Sequence, residues 1–289
     1  MKVLVTGASG FVAPHLIETL VARGDTVVAT ARDAARIPEG PGIEALALDL
    51  GAPLDEVQLP AVDAVVHLAQ ANVPYPARAL ELYRVNTVST LGLLDAASRT
   101  GARRFVHASS GTVYGLGDEP FRESDPVRHH QLYATTKIHA EDLVARYADQ
   151  LDGAVSLRLF APYGPGQVNR MIPGIIGRVR SGTPVSLNEG GRPRMNPIYI
   201  DDAVAAIVAA LAVDGHKIVN VAGDEIVTIR QIAEAAGRAV GVEPVFEDGG
   251  GQAAGDVIGD TTEFRAWLGD RSFTSLDQGV ARTAAAMEG

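Results

Sequence analysis

VTGASGFVA, residues 5–13, joins the end of an apolar run to Gly7, Gly10 and Ala13. Small residues at such a turn let backbone N–H groups close on a pyrophosphate at a helix N-terminus, where the dipole favours negative charge. A glycine pattern alone is weak, because any simple strand-to-helix turn can produce it. Here it follows an N-terminal strand pattern and precedes an amphipathic helix pattern, the context that marks a dinucleotide site.

Working outward, Lys2–Thr6, Thr26–Ala31, Ile43–Leu48, Ala64–Leu68, Arg104–His107 and Ala154–Leu159 read as short buried strands rich in Val, Leu and Ala. Helical patterns lie between them at Phe11–Ala22, Ala77–Arg99 and Leu132–Tyr147. Such alternation predicts an α/β fold, a doubly wound parallel sheet with helices on both faces and ligands at the carboxyl ends of the strands. Beyond Gly164 the pattern loosens into YGPGQ, a helix near Pro173–Arg180 and the turn-rich NEGGRPR. A strand at Pro197–Tyr199 and a helix at Asp201–Leu211, with Asp201 as N-cap, then look like a return to the main sheet. Two or three more helices, separated by EDGGGQAAGD, end the chain. The expected division is a dinucleotide-binding domain over 1–165, rejoined by 194–222, and a smaller substrate cap over 166–193 and 223–289.

Composition narrows the class. The 289 residues are 46% apolar and 21% charged, with a net charge of −10, which argues against a nucleic-acid groove or an anionic membrane surface. There is no cysteine, so disulfides and thiolate catalysis are excluded. The start lacks the pattern of a signal peptide, and the longest apolar run, Ala203 to Val213, is too short to span a bilayer. A soluble cytoplasmic protein is expected.

Two stretches carry the chemistry. HASSGTVYG (107–115) puts Ser109 and Ser110 at the end of a strand, where a hydroxyl is neither core nor turn. HHQLYATTKIHAEDL (129–143) spaces Tyr133 and Lys137 four apart, on one face of a helix. A phenol is a poor acid–base group at neutral pH unless a cation stabilises its anion, and Lys137 can supply that charge. The choice of dinucleotide turns on the end of the second strand. An acidic residue there would hold a ribose 2′-hydroxyl; here VVATA ends in Ala31, followed by Arg32, with Arg36 one turn later. Arginine pairs with a 2′-phosphate, a contact contributing about 1.5–3 kcal/mol. NADP(H) is therefore favoured, and NAD(H) stays open.

Taken together these motifs resemble the extended short-chain dehydrogenase/reductase family of nucleotide-sugar epimerases, dehydratases and ketoreductases. TGASGFVA resembles its cofactor loop, VVHLAQ (65–70) its fourth-strand motif, and YRVNTVSTLGLLDA (83–96) its helix with an active-site asparagine. HASSGTVYG, YATTK, RLFAPYGPGQ (158–167) and NPIYIDDAV (196–204) follow in family order, over about residues 1–215. The resemblance implies a Rossmann domain in which Gly7, Ser9, Gly10, Phe11, Val12, Arg32, Asp49, Leu50, Leu68, Ala69, Tyr133 and Lys137 hold the cofactor. It implies that Ser110 donates to a substrate carbonyl oxygen, that Tyr133 passes the proton, and that Lys137 lowers the tyrosine pKa and holds the nicotinamide ribose. Asn86 matches the active-site asparagine near the cofactor, and Asp49 the residue contacting adenine. A homodimer through the helices at 77–99 and 132–147 is implied in the same way. Ser109 is expected to be a buried hydroxyl bonded to backbone, and Tyr114 to be structural.

Departures narrow the chemistry. Sugar 4,6-dehydratases of this family carry acidic residues after the catalytic hydroxyl, where this chain has Gly111 and Thr112. That disfavours a dehydratase and leaves Thr112 as a substrate contact. Ala161-Pro162 replace the family's Asn-Val, and Ala253-Ala254 precede Gly255-Asp256 where an arginine often grips a diphosphate. The remaining arginine is Arg194, one residue out of register, or Arg192 beside it. Asn169, Arg170 and Asn188 fall where cap loops meet substrate. His129 and His130 have no third ligand at suitable spacing, so no metal site is expected. The leading reading is an NADPH-dependent reductase of a small-molecule carbonyl, on a sugar or a nucleotide-linked sugar. Its rival is a nucleotide-sugar epimerase with tightly held cofactor; a non-catalytic cofactor sensor is a third reading.

Overall fold

The computed structural model describes residues 1–54, 59–251 and 255–288; Ala253-Ala254 therefore lie outside the described residues. In chain order the elements are β1 (Lys2–Thr6), α1 (Val12–Ala22), β2 (Thr26–Ala31), β3 (Ile43–Ala47), β4 (Ala64–His67), α2 (Ala79–Tyr83), α3 (Ser89–Thr100), β5 (Arg104–Ser110), α4 (Leu132–Tyr147) and β6 (Gly153–Leu159). There follow α5 (Met171–Arg180), β7 (Val185–Leu187), β8 (Arg194–Met195), α6 (Ile200–Ala210), β9 (Gly215–Val221), β10 (Val227–Thr228), α7 (Ile229–Val240), β11 (Phe246–Asp248), α8 (Thr262–Leu268) and α9 (Leu276–Ala286).

Seven strands form one sheet in the order β3-β2-β1-β4-β5-β6-β9, and the β3-β2-β1-β4-β5 part is parallel in register. The order reverses between β1 and β4, the switch point at which a doubly wound sheet opens a crevice at its strand ends. Gly7 follows β1 there, and Leu68-Ala69 follow β4. No helix among the described residues is long and apolar enough to cross a membrane.

The helix expected over 77–99 runs from Ala79 to Thr100 and contains a π turn at Arg84–Val88, between α2 and α3. Two expectations are corrected. The segment Pro197–Tyr199 makes no sheet strand; it has one isolated bridge, Tyr163 to Tyr199, and the seventh strand is β9 instead. The sequence GHKIVNV hides that strand because its first half is exposed and polar, so it lacks the continuous apolar run of a central strand. Asp201 is not an N-cap but stands with Asp202 in the first turn of α6, where the helix dipole favours acidic side chains.

The chain forms two compact units. The first comprises Met1–Val113, Pro126–Arg158 and Val204–Val219. One face of its sheet, with Leu4, Val28, Val65 and Phe105, is buried in a cluster with Leu93, Leu94 and Ala97 of α3 and Val144 of α4. Leu93 is fully buried there; Leu93→Ala should cost about 2–5 kcal/mol, read as a lower urea midpoint. The second unit comprises Tyr114–Asp125, Leu159–Ala203 and Asn220–Gly289. In it α7 packs against α5 and α9, and two small ladders pair β8 with β10 and β7 with β11. Both α7 and α9 start with a capping box, Thr228 with Gln231 and Ser275 with Gln278.

Candidate active site

At the β1–α1 turn, Gly7 has φ +74°, and a Cβ on it would lie 2.8 Å from Ala69 Cα. Only glycine fits that approach. The Gly10 N–H closes the turn on the Gly7 carbonyl at 2.8 Å. No side chain caps the start of α1, and amides at such a helix N-terminus can meet a ligand oxygen. Arg32 follows β2 and is exposed; the expected helical turn is a 3₁₀ turn, Ala34–Arg36, which Asp33 caps through the Ala35 N–H at 3.1 Å. Asp49 is exposed and accepts from the Gly51 N–H at 2.9 Å, whereas the Leu50 side chain is buried in the apolar core. The β1–α1 turn at Gly7 and Gly10 has the form that takes a pyrophosphate at a helix N-terminus.

Strand β5 runs three residues past His107, so Ser109 and Ser110 are its last two positions and point to opposite faces. Ser109 is buried, as expected, but its hydroxyl donates to the Glu141 carboxylate rather than to backbone. Arg158 on β6 grips the same carboxylate, with Nη2 2.7 Å from Oε2 and Nε 3.0 Å from Oε1. Ser110 is half-buried, and its oxygen accepts from the Thr112 N–H at 3.2 Å and the Thr112 hydroxyl at 2.9 Å. With those lone pairs engaged, the Ser110 hydroxyl has its own proton to give.

Tyr133 and Lys137 share one face of α4, the Lys137 Nζ lying 6.0 Å from the Tyr133 ring centroid. Lys137 is buried, and Nζ donates to the Ala108 carbonyl at 2.7 Å. The lysine thereby ties the helix that carries Tyr133 to the strand end that carries Ser110. Burial pushes Lys137 down to about 7, while the Glu141 carboxylate acts in the opposite direction. Below it His67, bonded to Thr6 Oγ1 at 2.7 Å, is pushed down to about 3 by burial and then by Lys137. His107, its register partner on β5, is held well below the usual histidine range by burial, Lys137 and His67. Both histidines are therefore neutral at pH 7.

Asn86, in the π turn, is buried and bonds the Ala71 backbone twice: it accepts from the N–H at 2.7 Å and donates to the carbonyl at 3.0 Å. It also donates to Thr136 Oγ1 at 3.1 Å. Single π turns inside helices recur at functional sites.

Thr112 stands beside Ser110, but Asn169 and Arg194 belong to the second unit. Asn169 is exposed with φ +54°. Arg194 and Arg192 both bind the buried Asp256 carboxylate, at 2.7 and 2.8 Å. Burial raises the Asp256 carboxyl, but these hydrogen bonds outweigh it and hold the group below its ordinary range. Tyr114 is fully buried and donates to Asn220 Oδ1 at 2.8 Å. Sequence reasoning missed Glu141, Arg158 and Gln70. Glu141 stands four residues after Lys137, a helical spacing that could have pointed to it.

The model of the NAD dependent epimerase/dehydratase family matches residues 3–222. The chain belongs to this family. Members related to it are extended short-chain dehydrogenase/reductase enzymes, and the seven-stranded sheet is their Rossmann-like fold. Within the family the chain is 29% identical over 234 residues to the dTDP-4-dehydro-6-deoxyglucose reductase of Escherichia coli, covering 76% of this chain and 73% of that protein. It is 31% identical over 253 residues to a 3-diazoavenalumate denitrifying reductase of a Streptomyces species, covering 84% and 83%. Among solved structures, MoeE5 in complex with UDP-glucuronic acid and NAD is 27% identical with a TM-score of 0.86, covering 100% of this chain and 99% of that one.

Proposed function

We propose that this family member is an NADP(H)-dependent reductase of a carbonyl on a sugar, nucleotide-linked or not, or on a similar small molecule. The carrying observation is the Lys137 ammonium, which joins the Tyr133 helix to the strand end that holds Ser110. Ser110 donates to the carbonyl oxygen, Tyr133 gives it a proton, and Lys137 holds the positive charge that favours the phenolate left behind. Gly7, Ser9, Gly10, Phe11, Val12 and Arg32 hold the phosphates, Asp49 the adenine, and Lys137 the nicotinamide ribose. The bound nicotinamide supplies the reducing equivalent. Two relatives named as reductases support this direction, and so does the lack of an acidic residue at Gly111 and Thr112.

A second reading, nucleotide-sugar epimerisation, is favoured by MoeE5, whose structure holds a UDP-sugar together with NAD. Arg192 and Arg194 are its diphosphate partners, two cations sharing one buried carboxylate. The test is cofactor balance: with nucleotide-linked keto sugars and simple ketones, a reductase oxidises one NADPH per product, whereas an epimerase leaves the cofactor unchanged. The proposal includes a homodimer through α2, α3 and α4, in keeping with the exposed Leu80, Val88 and Leu91 on that stretch.

Arg32 decides the cofactor. NADPH is expected to bind more tightly than NADH, and Arg32→Ala to weaken NADPH by about 10–100-fold without changing NADH. Equal wild-type affinities in a fluorescence titration would refute this, leaving the NAD of the structural neighbour as the cofactor.

A further inference from the structure

The Tyr133 hydroxyl donates to the Gln70 side-chain carbonyl, Oε1, at 2.8 Å. Gln70 ends the VVHLAQ motif and is exposed, so its amide could have turned to water. Its backbone is fixed on both sides. The Ala69 N–H donates to Thr6 Oγ1 at 3.2 Å, and Ala71 is held through both its N–H and its carbonyl by Asn86. Asn86 reaches α4 as well, through Thr136, whose hydroxyl donates to the Tyr133 carbonyl at 2.7 Å. The π turn thus sets the loop bearing Gln70 and the helix bearing Tyr133 in register with one another. A buried amide with its hydrogen bonds spent on the Ala71 backbone and on Thr136 is a positioning group, not a group that meets substrate.

We propose that Gln70 is a positioning residue at the reacting centre, its side-chain carbonyl taking the acceptor place on the Tyr133 phenol that a substrate oxygen takes in the reaction. The amide holds the phenol aimed and protonated, and an incoming carbonyl displaces it. Asn86 acts through Gln70, by fixing Ala71. This rests on Tyr133 as the proton-transfer group and adds what keeps it poised.

The test uses the full chain with tyrosine labelled at the ring carbon bearing the hydroxyl, the Tyr133 resonance being assigned by its loss in Tyr133→Phe. Gln70→Met keeps the length of the side chain and removes the amide; Gln70→Glu keeps an acceptor oxygen. Gln70→Met is expected to move the Tyr133 resonance, to lower kcat at least fivefold and to leave KM unchanged or lower, since a competitor for the site is gone. Gln70→Glu should restore the resonance towards its wild-type position. An unmoved resonance in Gln70→Met overturns the proposal, and so does a moved resonance with wild-type kcat and KM. Should no carbonyl compound be reduced, the reductase reading falls while this inference is still decided by titrating cyclohexanone against the same resonance. The ketone should then bind Gln70→Met at least threefold more tightly than wild type, and equal behaviour overturns the inference.

Discussion

Tyr133→Phe is expected to lower kcat by about 10²–10⁴-fold, the range for loss of a placed general acid. The substitution removes one oxygen from a residue near the start of α4 and leaves the packing of Ala134, Ile138 and Val144 in place. The thermal midpoint should therefore stay near wild type, and steady-state rates at saturating substrate, beside a melting curve, separate lost chemistry from lost folding. A variant that turns over at the wild-type rate would remove the phenol from the mechanism.

Lys137→Met should lose activity by about 10²–10³-fold, as expected when a preorganised charge is removed, and should gain stability. The sign follows from the burial of the ammonium. Its folded pKa is about 7 against an ordinary 10.5, so the unfolded chain binds more protons between those values and stability rises with pH across them. Below pH 7 the burial penalty is fully present, roughly 3–5 kcal/mol by that difference; above about 10.5 it is gone. In the cofactor-free protein, Lys137→Met should have the higher urea midpoint at pH 6, with the gap closing as the pH rises. Wild-type activity should run the other way, present below about 7 and falling as the lysine loses its proton. A gap independent of pH would remove the lysine as its source.

The parallel sheet was legible because its central strands are unbroken apolar runs and because Gly7 and Gly10 punctuate the first of them. Even there β5 ran on past His107 through Ser109 and Ser110, and Glu141 and Lys137 of α4 bond to that end of the strand. Tyr133 and Lys137 were read from their helical spacing together with the phosphate loop and the serine pair upstream. Arg158 and Gln70 were not, because their partners lie 17 and 63 residues away and only the folded sheet brings them together, and Glu141 showed in the sequence only as a residue four beyond Lys137. The π turn at Arg84–Val88 was invisible for another reason. RVNTV has no proline or glycine to mark it, and the wider turn is set by where Asn86 must reach.

The two units are written along the chain as alternating stretches, so neither can be excised as a contiguous fragment. On the ribosome this ordering has a cost in time. Strand β6 ends at Leu159 and its edge partner β9 begins at Gly215, so 55 residues must emerge between them. At roughly 5–20 residues per second the β6 edge stays unpaired for about 3–11 s of translation. An open edge of that kind is a template for pairing with another nascent chain, so slower elongation over residues 160–214 should lower the soluble yield.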